Sequence, residues 1–104
     1  MRLSEFEIET IKDLAQLHFG EDVNVFLFGS RANDDKRGGD IDLFIRKTDG
    51  NKPDVLSKIN FTTDLIFKIG DQKIDVVLDN PAYQNSGFLK TIYNTGIQLC
   101  QRRN

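Results

Sequence analysis

Phe28-Gly29-Ser30-Arg31-Ala32-Asn33-Asp34-Asp35-Lys36-Arg37-Gly38-Gly39-Asp40-Ile41-Asp42-Leu43-Phe44-Ile45-Arg46 is the stretch that decides the fold: an apolar strand ends in a Gly-Ser turn, a polar glycine-ended loop follows, and the next strand opens on an Asp-x-Asp pair. Side chains alternate faces along a strand that rises ~3.3 Å per residue, so Asp40 and Asp42 project one way while Ile41, Leu43 and Ile45 project the other. Two carboxylates on one face reach one hard cation, or two close together, as Mg²⁺ bound to phosphate oxygens requires.

The same parity supplies a third carboxylate. In Lys73-Ile74-Asp75-Val76-Val77-Leu78 the apolar face is Ile74, Val76 and Leu78, which sets Asp75 opposite, with Lys73 and Val77. If this strand lies beside Asp40–Arg46, all three acids converge. Three uncompensated anions raise carboxyl pKa values and cost stability, whereas divalent cations and their phosphate ligands remove that penalty. The bland alternative for Asp40 and Asp42 is the solvated side of a half-buried strand, and for Asp75 a single exposed carboxylate beside Lys73. Aspartate is a poor strand former, and two in one short strand call for a reason.

Gly29-Ser30, nine intervening residues, Asp40-Ile41-Asp42 and, later, Asp75 in an Ile-Asp-Val strand together resemble the minimal nucleotidyltransferases of the DNA-polymerase-β-like superfamily, over nearly the whole chain. The loop is one residue shorter than the spacer that pattern more often carries. Gly29, Ser30, Asp40, Asp42 and Asp75 therefore carry over, while Lys36 and Arg37 do not. The resemblance implies an α/β (α+β) nucleotidyltransferase fold, a mixed sheet of about four strands flanked by helices. It also implies an enzyme that transfers a nucleoside monophosphate, with ATP taken as donor of AMP, to an acceptor hydroxyl. Asp40, Asp42 and Asp75 are then the catalytic carboxylates and metal ligands for two Mg²⁺ ions, with Mn²⁺ as a substitute, and Asp75 is in addition a candidate proton acceptor.

Minimal members of that superfamily are often encoded beside a helical HEPN ribonuclease toxin and act as its antitoxin, some by attaching AMP to a toxin tyrosine. The resemblance thus implies a HEPN toxin as partner and acceptor, within a hetero-oligomer. Two further readings stay open: a non-catalytic antitoxin that masks the toxin and keeps the acidic site as a relic, and nucleotidylation of a small molecule or an RNA end.

Other residues carry double readings. Ser30 caps a short helix or hydrogen-bonds the nucleotide's phosphates, and as a nucleophile it lacks a base, since the only histidine lies in the first helix. Arg31 contacts phosphate as a planar donor or pairs with Asp34 or Asp35 at the surface. Lys36 and Arg37 meet the triphosphate or the acceptor, or form a solvated charge run. His18 reads as an ordinary residue near a helix end. Phe61, Phe67, Phe88 and Tyr93 read as core rather than as a base-stacking platform.

Around this stretch the elements are well punctuated. Ser4 and Glu7 have capping-box spacing, Leu3 and Ile8 suit a hydrophobic staple, and Ile8, Ile11, Leu14, Ala15 and His18 share a stripe that Gly20 ends. Val23 to Phe28 is apolar on both faces except at Asn24, a strand covered on each side. Ser30-Arg31-Ala32 opens a short helix. Pro53 or Asp54 starts another, with Val55, Ile59, Thr62 or Thr63, and Ile66 on one face and Gly70 as its stop. A helix over about Gly87 to Asn94 and a strand over Ile97 to Cys100 complete a single domain, 1–104.

Composition narrows the function. The chain has 104 residues, enough for one core that buries ~65% of the unfolded surface but with no room for a separate substrate domain. Fourteen Lys and Arg against sixteen Asp and Glu leave a net charge of -2, so general nucleic-acid binding is not expected. The single cysteine, Cys100, excludes an internal disulfide, and no Cys/His cluster suggests zinc. With no signal-peptide pattern and no apolar run near the ~20 residues that span a bilayer, a soluble, cytoplasmic protein without membrane contact is expected.

Overall fold

The computed structural model describes residues 3–33 and 39–100. Lys36, Arg37, Asp34 and Asp35 lie outside the described residues. Helix α1 (Glu5–Phe19) starts as its cap predicts: the Glu7 backbone N–H donates to Ser4 Oγ at 3.1 Å, and the Ser4 N–H donates to Glu7 Oε1 at 2.8 Å. Gly20, at φ 101°, ends it. The chain continues through β1 (Val23–Phe28), a 3-10 turn at Gly29–Ala32, β2 (Ile41–Lys47), α2 (Val55–Ile69), β3 (Ile74–Leu78), a second 3-10 turn at Pro81–Tyr83, α3 (Gly87–Thr95) and β4 (Ile97–Cys100). Asp40 and Lys73, read as strand residues, stand one position before β2 and β3.

One four-stranded mixed sheet runs β3-β2-β1-β4. β1 is antiparallel to both β2 and β4, whereas β2 and β3 are parallel. A parallel pair needs a crossover, and α2 supplies it. Strand alternation then divides the interior. Ile41, Leu43, Ile45 and Val76 meet Ile11, Leu14 and Phe19 of α1 and Phe61 and Leu65 of α2 on one face. Phe26 and Phe44 meet Ile92 of α3 on the other, with Phe28, Val77 and Phe88 packed around them. β1 is covered on both sides, and even Asn24 is buried, its amide oxygen without a hydrogen-bond partner among the described residues.

The face of α2 is the chief departure from expectation. Val55, Ile59 and Ile66 do share a stripe, but that stripe is exposed, together with Leu56 and Phe67. The helix carries two apolar stripes, and periodicity does not rank them. Phe61 and Leu65 win the interior because Phe61 meets Phe19 of α1, ring centroids 5.5 Å apart, and because His18 Nε2 reaches Asp64 Oδ2 at 2.7 Å and sets the rotation of α2 against α1. Phe67, expected in the core, is 84% exposed. Tyr93 is also partly exposed, with its ring edge-on to Phe26.

Candidate active site

Three segments meet at one end of the sheet: the end of β1, the start of β2 and the start of β3. Register aligns Phe28 of β1 with Asp42 of β2, and Asp42 with Asp75 of the parallel β3. Ile41 donates its N–H to the Lys73 carbonyl at 3.0 Å, which fixes the entry of β2 against the entry of β3 and holds Asp40 there. Asp40, Asp42 and Asp75 each place a carboxylate oxygen within 4.8 Å of the others'. The convergence expected from strand parity is therefore observed.

The electrostatics of the cluster are unfavourable by themselves. Burial pushes the Asp42 carboxyl above the ordinary range, the neighbouring Asp75 and Asp40 charges push it further, and Lys73 only partly offsets them. Lys73 Nζ stands 3.4 Å from Asp40 Oδ2, so the cation expected beside Asp75 in fact pairs with Asp40. Among the described residues, one largely exposed ammonium against three carboxylates leaves a surplus of negative charge.

The Gly-Ser turn is shaped around these carboxylates. Gly29 has φ 74°, and a Cβ there would strike the Asp42 carboxylate. Gly39 has φ 91°, and a Cβ there would strike Ser30 Oγ. Both glycines thus allow a left-handed backbone and a close approach that a side chain would prevent. Arg31 is turned toward protein atoms: Nη2 donates to Gln72 Oε1 at 3.1 Å and Nε to the Gly39 carbonyl at 3.4 Å. Gln72 in turn donates to Glu7 Oε2 at 2.9 Å. No sequence signal marks this bridge, because its partners are far apart in the chain. Beside the carboxylates lies a cleft of about 420 Å³ that reaches Asp42 and Asp75 and is bordered by Phe28, Phe88, Lys58 and Thr62.

Hard carboxylate oxygens, mutual repulsion awaiting a counter-charge and a backbone cleared of side chains around Asp42 fit a divalent cation with a phosphate ligand. The sequence profile described as Polymerase beta, Nucleotidyltransferase matches residues 9–104. The chain belongs to that nucleotidyltransferase family. Such enzymes typically use divalent metals, and a nucleotide is the substrate that a nucleotidyltransferase domain implies. A search of curated proteins gave no match. No helix among the described residues of this nucleotidyltransferase is long and apolar enough to cross a membrane.

Proposed function

We propose that this nucleotidyltransferase moves AMP from ATP to a hydroxyl of a partner protein, a tyrosine of a HEPN toxin, and acts in the cytoplasm as the antitoxin of that pair. The observation that carries the chemistry is the meeting of Asp40, Asp42 and Asp75 within 4.8 Å, beside a turn shaped around Asp42. In this reading the three carboxylates hold Mg²⁺, or Mn²⁺ in its place. When bound, the cations stabilise charge on the phosphates and the leaving pyrophosphate. Gly29 lets the backbone approach the phosphates and Ser30 donates a hydrogen bond to them, while Arg31, bonded to Gln72 and the Gly39 carbonyl through Nη2 and Nε, donates to them from Nη1. The acceptor oxygen forms its bond to the α-phosphorus as the α–β phosphoanhydride bond breaks in line. Asp75, the most exposed of the three, takes the hydroxyl proton or passes it to solvent.

A protein acceptor is favoured by α2. Its Lys58 and Thr62 border the cleft, while Val55, Leu56, Ile59, Ile66 and Phe67 of the same helix form an exposed apolar face. Clustered exposed apolar groups of this kind mark protein contacts. That face serves a masking antitoxin equally well, and stoichiometry separates the two. Purified chain at a small fraction of the toxin concentration, with Mg²⁺ and ATP, is expected to silence the ribonuclease and leave AMP-mass adducts on a toxin tyrosine, and Asp40→Asn is expected to do neither. Silencing that needs equal amounts, proceeds without ATP and survives Asp40→Asn supports masking instead.

A further inference from the structure

We propose that Gln72 is a positioning residue of the nucleotide site, a relay that holds Arg31 on the Gly39 carbonyl and thereby fixes the approach of Asp40 to the other two carboxylates. The inference rests on the nucleotidyltransferase reading of the acidic cluster, and it concerns a residue outside that cluster.

The contacts form a continuous chain. Glu7 is already tied at its other oxygen to the Ser4 N–H at 2.8 Å, so its carboxylate is fixed at the start of α1. It accepts from Gln72 Nε2 at 2.9 Å, and the Ile69 carbonyl at the end of α2 accepts from the same nitrogen at 3.3 Å. With its nitrogen committed to two acceptors, the amide has only one orientation, and Oε1 points to Arg31 Nη2 at 3.1 Å. Arg31 Nε then reaches the Gly39 carbonyl at 3.4 Å, on the peptide that leads into Asp40. The Glu7 carboxyl records the same network. Its burial works against charge, yet the Ser4 backbone, the Gln72 amide, the Ser4 hydroxyl and the Arg31 guanidinium together hold it below the ordinary range.

The chemistry of the middle position is restrictive. A carboxylate only accepts and a guanidinium only donates, so the group between them must offer a donor to one and an acceptor to the other, which a side-chain amide does. Gln72 also lies three residues before Asp75, on the turn from α2 into β3. It therefore joins the segments that deliver Asp40 and Asp75, through Arg31 and Gly39 on one side and through its own backbone on the other. Asp42 sits between them on β2.

The test uses the full chain and two substitutions at one position. Gln72→Met keeps the length and removes both polar contacts; Gln72→Glu keeps the acceptor for Arg31 but faces Glu7 with a second carboxylate. Two quantities are read: the affinity for ATP with Mg²⁺ by calorimetry, and amide hydrogen exchange without nucleotide at Ile41, the residue after Asp40, whose N–H donates to the Lys73 carbonyl at 3.0 Å. Gln72→Met is expected to weaken binding about tenfold, the value of one hydrogen bond to a charged group, and to speed Ile41 exchange by a similar factor. Gln72→Glu is expected to melt at a lower temperature yet bind within about threefold of the parent, a split that a purely structural role does not give. Parent-like affinity and exchange in Gln72→Met overturn the proposal, as does loss of affinity in proportion to melting temperature across both variants. If the parent itself binds no ATP, the exchange data still decide the relay, and it is the nucleotide reading that falls.

Discussion

Asp42 is the residue on which the site's cost and use both concentrate. Its carboxyl is raised by burial and by Asp75 and Asp40, so the folded protein binds a proton there more tightly than the unfolded chain does. Stability linked to this group is present below the ordinary aspartate pKa and is lost as pH rises through the raised one, the reverse of a salt-bridged aspartate. Asp42→Asn removes that loss. In chelator at neutral pH the variant is expected to melt higher than the parent, a difference that shrinks in acid and that Mg²⁺ reverses by stabilising the parent; melting curves across pH check it. The same variant is expected to lose transfer by ~10²- to 10³-fold or more, the scale for removing one preorganised charge-stabilising group. Gly29→Ala makes the complementary test, since the new Cβ would meet the Asp42 carboxylate at a backbone φ of 74°. It is expected to cost about 1–3 kcal/mol of stability in urea melts and to abolish metal-dependent nucleotide binding.

α2 shows where an element's sequence is ambiguous. Its start is legible, because Asp54 accepts the Ser57 N–H at 3.0 Å as a cap should, and so is its stop at Gly70. Its rotation is not. Val55, Ile59 and Ile66 make as regular a stripe as Phe61 and Leu65, and the choice depends on Phe19 and His18 of α1, more than forty positions away. β2 and β3 are read more securely, since period-two alternation leaves only two faces and the aspartates cannot share one with Ile41, Leu43, Ile74 and Val76 without being buried. The two stripes of α2 answer differently to substitution. Phe61→Ala, inside the core, is expected to destabilise by about 3–5 kcal/mol. Ile59→Lys or Phe67→Ser, on the exposed face, is expected to change stability by no more than about 0.5 kcal/mol and, under the proposed function, to abolish silencing of the proposed toxin partner at substoichiometric amounts. Denaturant titration beside a ribonuclease assay measures both.

At the scale of the whole molecule, the sheet is a device for bringing distant acids together. An antiparallel β1–β2 pair delivers the Gly-Ser turn to the start of β2, and the α2 crossover returns β3 parallel, so that Asp75 falls opposite Asp42. The face on which each aspartate stands was legible from strand parity, a local backbone property, whereas the strand order and the parallel pairing of β2 with β3 were not, because they depend on how distant segments pack. Nor were the Gln72 relay and the pairing of Lys73 with Asp40, since they arise only after segments 33 to 65 residues apart are packed side by side. Among the described residues the junction carries a surplus of negative charge, which a cation-bound nucleotide offsets in the proposed function. Calorimetric titration of ATP into the chain, in excess Mg²⁺ and again in chelator, measures this directly. Saturable binding with Mg²⁺ that vanishes in chelator, and that Asp42→Asn lacks under both conditions, is the expected result; equal affinity with and without the cation would overturn the metal-site assignment.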